Sequence, residues 1–144
     1  MKHYISHRGN VFGPIKQNEN KPEYINNALE KGFEVEIDVF IWKSKLWLGH
    51  DNPLYEIAVK FLRNPKLWCH AKNLEALNYL LEYKDINVFW HQEDDFTLTS
   101  KGYIWTYPNK DITSKSILVV QEDISKNEIP NCLGICSDYI GNLV

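Results

Sequence analysis

Phe33 to Val39 reads Phe-Glu-Val-Glu-Ile-Asp-Val. Apolar and acidic residues alternate at every step, and a period of two is the spacing of a β-strand. Such a strand has one apolar face (Phe33, Val35, Ile37, Val39) and one face carrying Glu34, Glu36 and Asp38. Burying three like charges together is costly unless a cation sits among them. Without a cation, the pattern reads as an edge strand with its polar face in water. A short Lys43-Ser44-Lys45 turn follows, and Leu46, Trp47 and Leu48 lead back to His50 and Asp51. One hairpin-like excursion therefore carries acidic groups and an imidazole toward a common place.

The rest of the chain can support a packed core around this strand. It has 144 residues, 44% hydrophobic and 24% charged, with few Gly and Pro, which fits one folded domain. A net charge of -3 gives no footprint for nucleic acid. No apolar run approaches membrane-spanning length. The N-terminal residues lack a signal-peptide core, and the three cysteines, Cys69, Cys132 and Cys136, are expected as reduced thiols. The expected compartment is cytoplasmic.

Read in order, the pattern predicts a strand over His3–Ser6, a polar loop to Lys21 and a helix from Pro22 to about Lys31. Asn20 is a candidate cap and Gly32 the stop. After the acidic strand, Leu54–Leu62 is predicted as helix and Leu67–Ala71 as strand. Asn73 caps a third helix. Strands are then predicted at Val88–Trp90, Tyr103–Tyr107, Ile117–Val120 and Leu133–Cys136. The second half leaves no room for helices of ordinary length. His7, His50, His70 and His91 fall at or just after the C-terminal ends of predicted strands, as do Glu36, Asp38, Lys72, Gln121 and Asp138. In parallel α/β sheets, binding groups collect at that end, so these residues point to one shared site.

His7-Arg8-Gly9, Glu19-Asn20, the helix with Ala28 and Gly32, Glu36-Ile37-Asp38-Val39 and His50-Asp51 together resemble the N-terminal signature of glycerophosphodiester phosphodiesterases, members of the phospholipase C-like phosphodiesterase class. Trp68-Cys69-His70-Ala71-Lys72 and Gly134-Ile135-Cys136-Ser137-Asp138 resemble two later strands of that family less closely. The resemblance implies a TIM barrel. At this length the expectation is an α/β fold, a minimal TIM-like (β/α) barrel with several peripheral helices missing, because a typical barrel of this kind needs roughly 250 residues.

The resemblance also implies a site. His7 and His50 match the acid and base. Glu36 and Asp38 match metal ligands, and His70 stands where the family has a glutamate. Arg8 and Lys72 match phosphate contacts. One divalent ion is expected, Mg²⁺ or Ca²⁺ by resemblance. The imidazole of His70 shifts the donor set toward Mn²⁺ or Zn²⁺; the alternative is that His70 ligates nothing. His91 reads either as a pocket residue or as a strand end bonded to a loop carbonyl. Trp105 reads either as a stacking residue or as interior filling. Glu34 is expected on the pocket floor or in the barrel interior, pairing with Lys72 or Arg8. Glu122 and Asp138 read either as supports for a ligand histidine or Lys72, or as solvated loop carboxylates.

This set suits a phosphodiester. The ion neutralises charge on the non-bridging oxygens, Arg8 and Lys72 bind phosphate, and two imidazoles move protons near neutral pH. The expected partner is a small-molecule or lipid-derived phosphodiester. A homodimer that covers exposed wall is a further expectation. The alternative is a non-catalytic phosphate- or metal-binding protein of the same descent.

Overall fold

The acidic strand is the hub of the sheet. In the computed structural model, which describes residues 1–144, β2 (Glu34–Trp42) pairs in parallel with β1 (His3–His7) on one side and β5 (Leu67–Ala71) on the other. Its last residues run beyond both partners. They turn at Lys43 and Ser44, both at positive φ (50° and 61°), and pair antiparallel with β3 (Lys45–Leu48). Two successive positive φ values are those of a type I′ turn, whose twist suits a tight hairpin.

The remaining elements are α1 (Pro22–Glu30), β4 (Tyr55–Ile57), α2 (Val59–Leu62), α3 (Leu74–Leu80), β6 (Asn87–Phe89), β7 (Phe96–Leu98), β8 (Ile104–Thr106), β9 (Ser116–Val120) and β10 (Gly134–Ser137). Parallel pairing runs β6-β5-β2-β1-β10-β9-β8. These are the core strands expected from the sequence. Strands β3, β4 and β7 add antiparallel pairs, which makes the ten-stranded sheet mixed.

The expected minimal TIM-like (β/α) barrel does not form. The sheet is a curled, mixed half-barrel, with strand at 31% of residues and helix at 19%, the reverse of what a barrel jacketed by helices requires. Only α1, α2 and α3 are present, all before β6. After β8 the strands are joined by loops and one 3₁₀ turn, Lys126–Glu128, where a barrel would place helical crossovers. The curl also lacks a closing ladder, since no pairing joins β6 to β8. Ser100 bridges that seam on one side: its N–H donates to Val88 O (2.8 Å), and its hydroxyl accepts from Val88 N (2.9 Å).

Two local expectations also change. Leu54–Leu62 is not one helix. Tyr55–Ile57 forms β4 on the free edge of β3, and α2 is a single turn. Aromatic and β-branched residues alternating beside an unpaired edge favour strand over helix. Helix α1 ends as expected: Gly32 adopts φ 95°, Gly32 N bonds Leu29 O, and Phe33 N bonds Ala28 O, which together make a Schellman cap.

There are two cores. The larger lies between the convex sheet face and the helices and includes Ile25, Val35, Ile37, Leu67 and Leu80. Each such fully buried side chain stabilises by about 1.5–3 kcal/mol. The smaller fills the inside of the curl with Ile5, Trp68, Phe89, Trp105, Ile117 and Cys136. Gly134 belongs to the inner face, where a Cβ would stand 2.6 Å from His3 Cβ and 2.8 Å from Ile117 Cδ1. A larger residue there would hold the curl open. No helix is long and apolar enough to cross a membrane.

Candidate functional site

The inward faces of β1, β2 and β5 carry His7, Glu36, Asp38 and His70 to the carboxyl end of the inner core, as their alternation dictates. A cavity of about 390 Å³ opens above them. Its lining includes His7, Arg8, Glu36, His50, His70 and Lys72 on one side and His91, Trp105, Tyr107 and Gln121 on the other. Of the residues singled out in the sequence as catalytic, binding or metal-ligating, only Asp38 does not line the cavity. It lies directly beneath, fully buried.

Glu36, Asp38 and His70 each offer a ligand atom, and these atoms lie within 4.8 Å of one another. The orientation of His70 is fixed. Its Nε2 contacts the main-chain carbonyl of His91 at 2.9 Å; a carbonyl only accepts, so Nε2 carries the hydrogen. Nδ1 therefore faces the carboxylates, 3.4 Å from Asp38 Oδ1 and 3.6 Å from Glu36 Oε1. These separations exceed the 2.7–2.9 Å or so of a charge-assisted hydrogen bond. Asp38 Oδ1 and Glu36 Oε2 are buried without a hydrogen-bond partner. Buried carboxylate oxygens are rarely left so. Two orphaned oxygens beside an inward-facing imidazole nitrogen fit a divalent cation, with a mixed nitrogen and oxygen donor set.

Without a cation, a proton answers the same need. Burial pulls the His70 pKa down, but Asp38 and Glu36 outweigh it and raise it to about 9. For Asp38, burial pushes upward, yet His70, Arg8 and Asn20 hold it well below the usual carboxylate range.

Asp38 is also pinned from behind. Asn20 donates Nδ2 to Asp38 Oδ2 (2.9 Å) and accepts from Asp38 N (3.0 Å). Asn20 is thus not the cap of α1; Lys21 occupies that place without a side-chain bond. Asn20 sits instead at φ 64°, a left-handed conformation asparagine tolerates. Arg8 is tied down too, with Nε 2.9 Å from Asp38 Oδ2 and an Nη 3.5 Å from Glu19. It reaches the cavity as a guanidinium already paired with carboxylates. Lys72 lines the same cavity with no carboxylate within ion-pair distance of its ammonium.

The two expected acid–base histidines are built alike. His7 Nδ1 donates to Asp138 Oδ1 at 2.8 Å, and His50 Nδ1 lies 2.8 Å from Asp51 Oδ1. In each, Nδ1 is held and Nε2 is free for chemistry; that of His7 is 3.7 Å from Glu36 Oε2. Burial opposes the charged form of His7, but Asp138 and Glu36 win and raise its pKa. His50 follows Gly49 (φ 152°), where a Cβ would run into the Asn52 carbonyl oxygen. Only glycine lets the chain fold back there to present the imidazole.

Both readings of His91 have a counterpart in the structure: it lines the cavity, and it makes the loop-carbonyl contact. Its Nε2 donates to Asp94 O (2.6 Å), and burial lowers its pKa. Trp105 packs in the inner core against Phe89 and Trp68, with one edge on the cavity. Glu34 pairs with His3 (2.7 Å) at the opposite end of the strands, so it meets neither Lys72 nor Arg8. A strand residue two positions from Glu36 shares its face but lies one layer lower. The three cysteines are free and buried. Sequence reasoning missed Asn10, fully buried, whose Nδ2 donates to both Glu19 (2.7 Å) and Asp138 (2.8 Å). Nothing in the pattern around an asparagine in a loop marks that function.

Comparison of the chain with protein-family models, with curated proteins and with solved structures found no match.

Proposed function

We propose that the protein is a metal-assisted phosphodiesterase, related to the glycerophosphodiester phosphodiesterases it resembles, acting on a small glycerophosphodiester-like molecule or a lipid head group. The observation that carries this reading is the convergence of Glu36, Asp38 and His70 ligand atoms within 4.8 Å, in one cavity with two carboxylate-held histidines and Lys72.

Glu36, Asp38 and His70 would hold a divalent ion, which supplies Lewis acidity to the phosphoryl oxygens. Lys72, free of carboxylate partners, contacts a non-bridging oxygen. Arg8 adds positive charge from behind Asp38. His7, with its raised pKa, is the proton donor to the leaving oxygen. His50 takes the proton of the attacking hydroxyl at Nε2. Asp138 and Asp51 keep both rings in the tautomer this requires. The donor set favours Mn²⁺ or Zn²⁺ over Mg²⁺ or Ca²⁺ relative to a three-carboxylate site.

The test is turnover of bis(p-nitrophenyl) phosphate and of glycerophosphodiesters with each of Mg²⁺, Ca²⁺, Mn²⁺ and Zn²⁺. Metal-dependent hydrolysis lost in His7→Ala and in His50→Ala supports the reading. No turnover with any metal, or turnover unchanged in both variants, overturns it. In that case the His70 imidazolium and the Arg8 guanidinium together balance the two carboxylates, and the protein is a binding module.

A further inference from the structure

The β2–β3 hairpin overshoots the parallel strands that flank β2. Parallel pairing of β2 ends at Glu36 against β1 and at Val39 against β5, yet the antiparallel pair continues to Trp42 opposite Lys45. At about 3.3 Å per residue, the tip stands about 10 Å past the end of its pairing with β5; on its other side β4 accompanies β3 as far as Leu46. It stands on the cavity side, since His50 and Lys72 come from the chain at its base. The tip is also rigid: a tight turn closes it, and Trp47 Nε1 donates to Trp42 O (3.1 Å).

Its composition is unusual for a protruding turn. Trp42 is 46% exposed, its ring edge-on to Trp47, and the Lys43 ammonium sits 4.3 Å from its centroid. Lys43 has no carboxylate partner. Lys45 meets only Glu56, at 3.4 Å and in solvent, a weak pair. Asn73 exchanges hydrogen bonds with the Ile41 main chain (2.7 and 3.3 Å). It thereby seats Leu74, 74% exposed, on the same rim.

Exposed indoles flanked by lysines are what a lipid–water interface selects, because the ring lies at the headgroup level and the ammonium meets anionic phosphates. Protein interfaces, by contrast, favour Trp but deplete Lys. An exposed turn of this kind also suits a surface that deforms around it. We infer that the Trp42–Lys45 tip docks on an anionic lipid bilayer and sets the mouth of the cavity against the headgroup layer. This docking is separate from the chemistry within the cavity.

The experiment is sedimentation of the metal-free protein with vesicles of phosphatidylcholine and phosphatidylglycerol (7:3) and of phosphatidylcholine alone, with tryptophan quenching by brominated lipid. The comparison is with Trp42→Ser, Lys43→Asn and the double variant; asparagine keeps the positive φ and removes the charge. The expected result is partitioning onto the anionic vesicles, at least tenfold weaker in the double variant and weaker for either protein on neutral vesicles. Circular dichroism confirms that each variant folds, and Lys43→Asn alone serves as the probe should Trp42→Ser not fold. No binding at saturating anionic lipid overturns the inference. So does binding that the substitutions leave unchanged, or a dimer in solution that buries Trp42. Hydrolysis of soluble bis(p-nitrophenyl) phosphate is read separately, so failure of docking and failure of the phosphodiesterase reading are distinguishable.

Discussion

His70 is held by its neighbour's backbone. The His91 carbonyl fixes Nε2 at 2.9 Å, so Nδ1 has no direction left but toward Glu36 and Asp38. A proton and a divalent ion therefore compete for one place.

That competition has a sign. The folded pKa of His70, about 9, is raised above its ordinary 6.5. In the metal-free protein its stabilisation is fully present below pH 6.5 and is lost as pH rises through about 9. The Tm of metal-free protein should fall across that window, with a shallower fall in His70→Gln. Added Zn²⁺ should raise Tm more at pH 9 than at pH 6.5, because it binds the deprotonated nitrogen. Thermal melts with and without metal measure both slopes.

Changing the donor should change the metal. His70→Glu replaces nitrogen with oxygen and adds a negative charge, so affinity for Mg²⁺ and Ca²⁺ should rise relative to Zn²⁺. Calorimetric titration of the two proteins gives the ratio. An unchanged ratio would mean that His70 is not a ligand.

Asn20→Ala removes both bonds that pin Asp38 and leaves a buried N–H unpaired. A loss of about 1–3 kcal/mol in urea unfolding is expected. Metal affinity should fall as well, since the carboxylate is no longer oriented.

Asp138→Asn keeps the shape of the group but removes the charge that holds His7 Nδ1–H. Turnover should fall by about 10–100-fold, the usual cost of losing an orienting partner. The alkaline limb of the pH–rate profile, where the proton donor His7 is lost, should move to lower pH, because the charge raising the His7 pKa is gone. A uniformly lower profile with no shift would mean the damage is only structural.

Gly49→Ala tests the approach of His50. A Cβ there collides with the Asn52 carbonyl, so the turn must open and the imidazole move. A displacement of this kind costs on the order of 10²-fold in turnover, while metal affinity at Glu36, Asp38 and His70 should hold.

The sequence carried much of this arrangement. Alternation along β2 placed Glu36 and Asp38 on one face, and the strand-end positions of His7, His50, His70, Lys72 and His91 brought them to one cavity. The same period-two rule could not say how many layers separate Glu34 from the cavity, and that residue went to His3 instead. The barrel expectation failed because strands alone do not make one: a helix must return each strand, and no α-helix follows β6. Strand β4 was hidden because Tyr55–Ile57 has no preference strong enough to show before β3 offers it an edge. Asn10 and Asn20 act over long sequence separations, which no local pattern records.

The missing ladder between β6 and β8 has one more consequence. Across that seam, Phe89 and Trp105 face each other with centroids 4.6 Å apart, just beneath the cavity. A ring closed all round by hydrogen bonds would have a fixed girth. Here the girth is set by a tilted aromatic pair and by side-chain stitches from Thr97, Ser100 and Asn87, so side-chain identity rather than a backbone ladder decides how wide the floor of the cavity is.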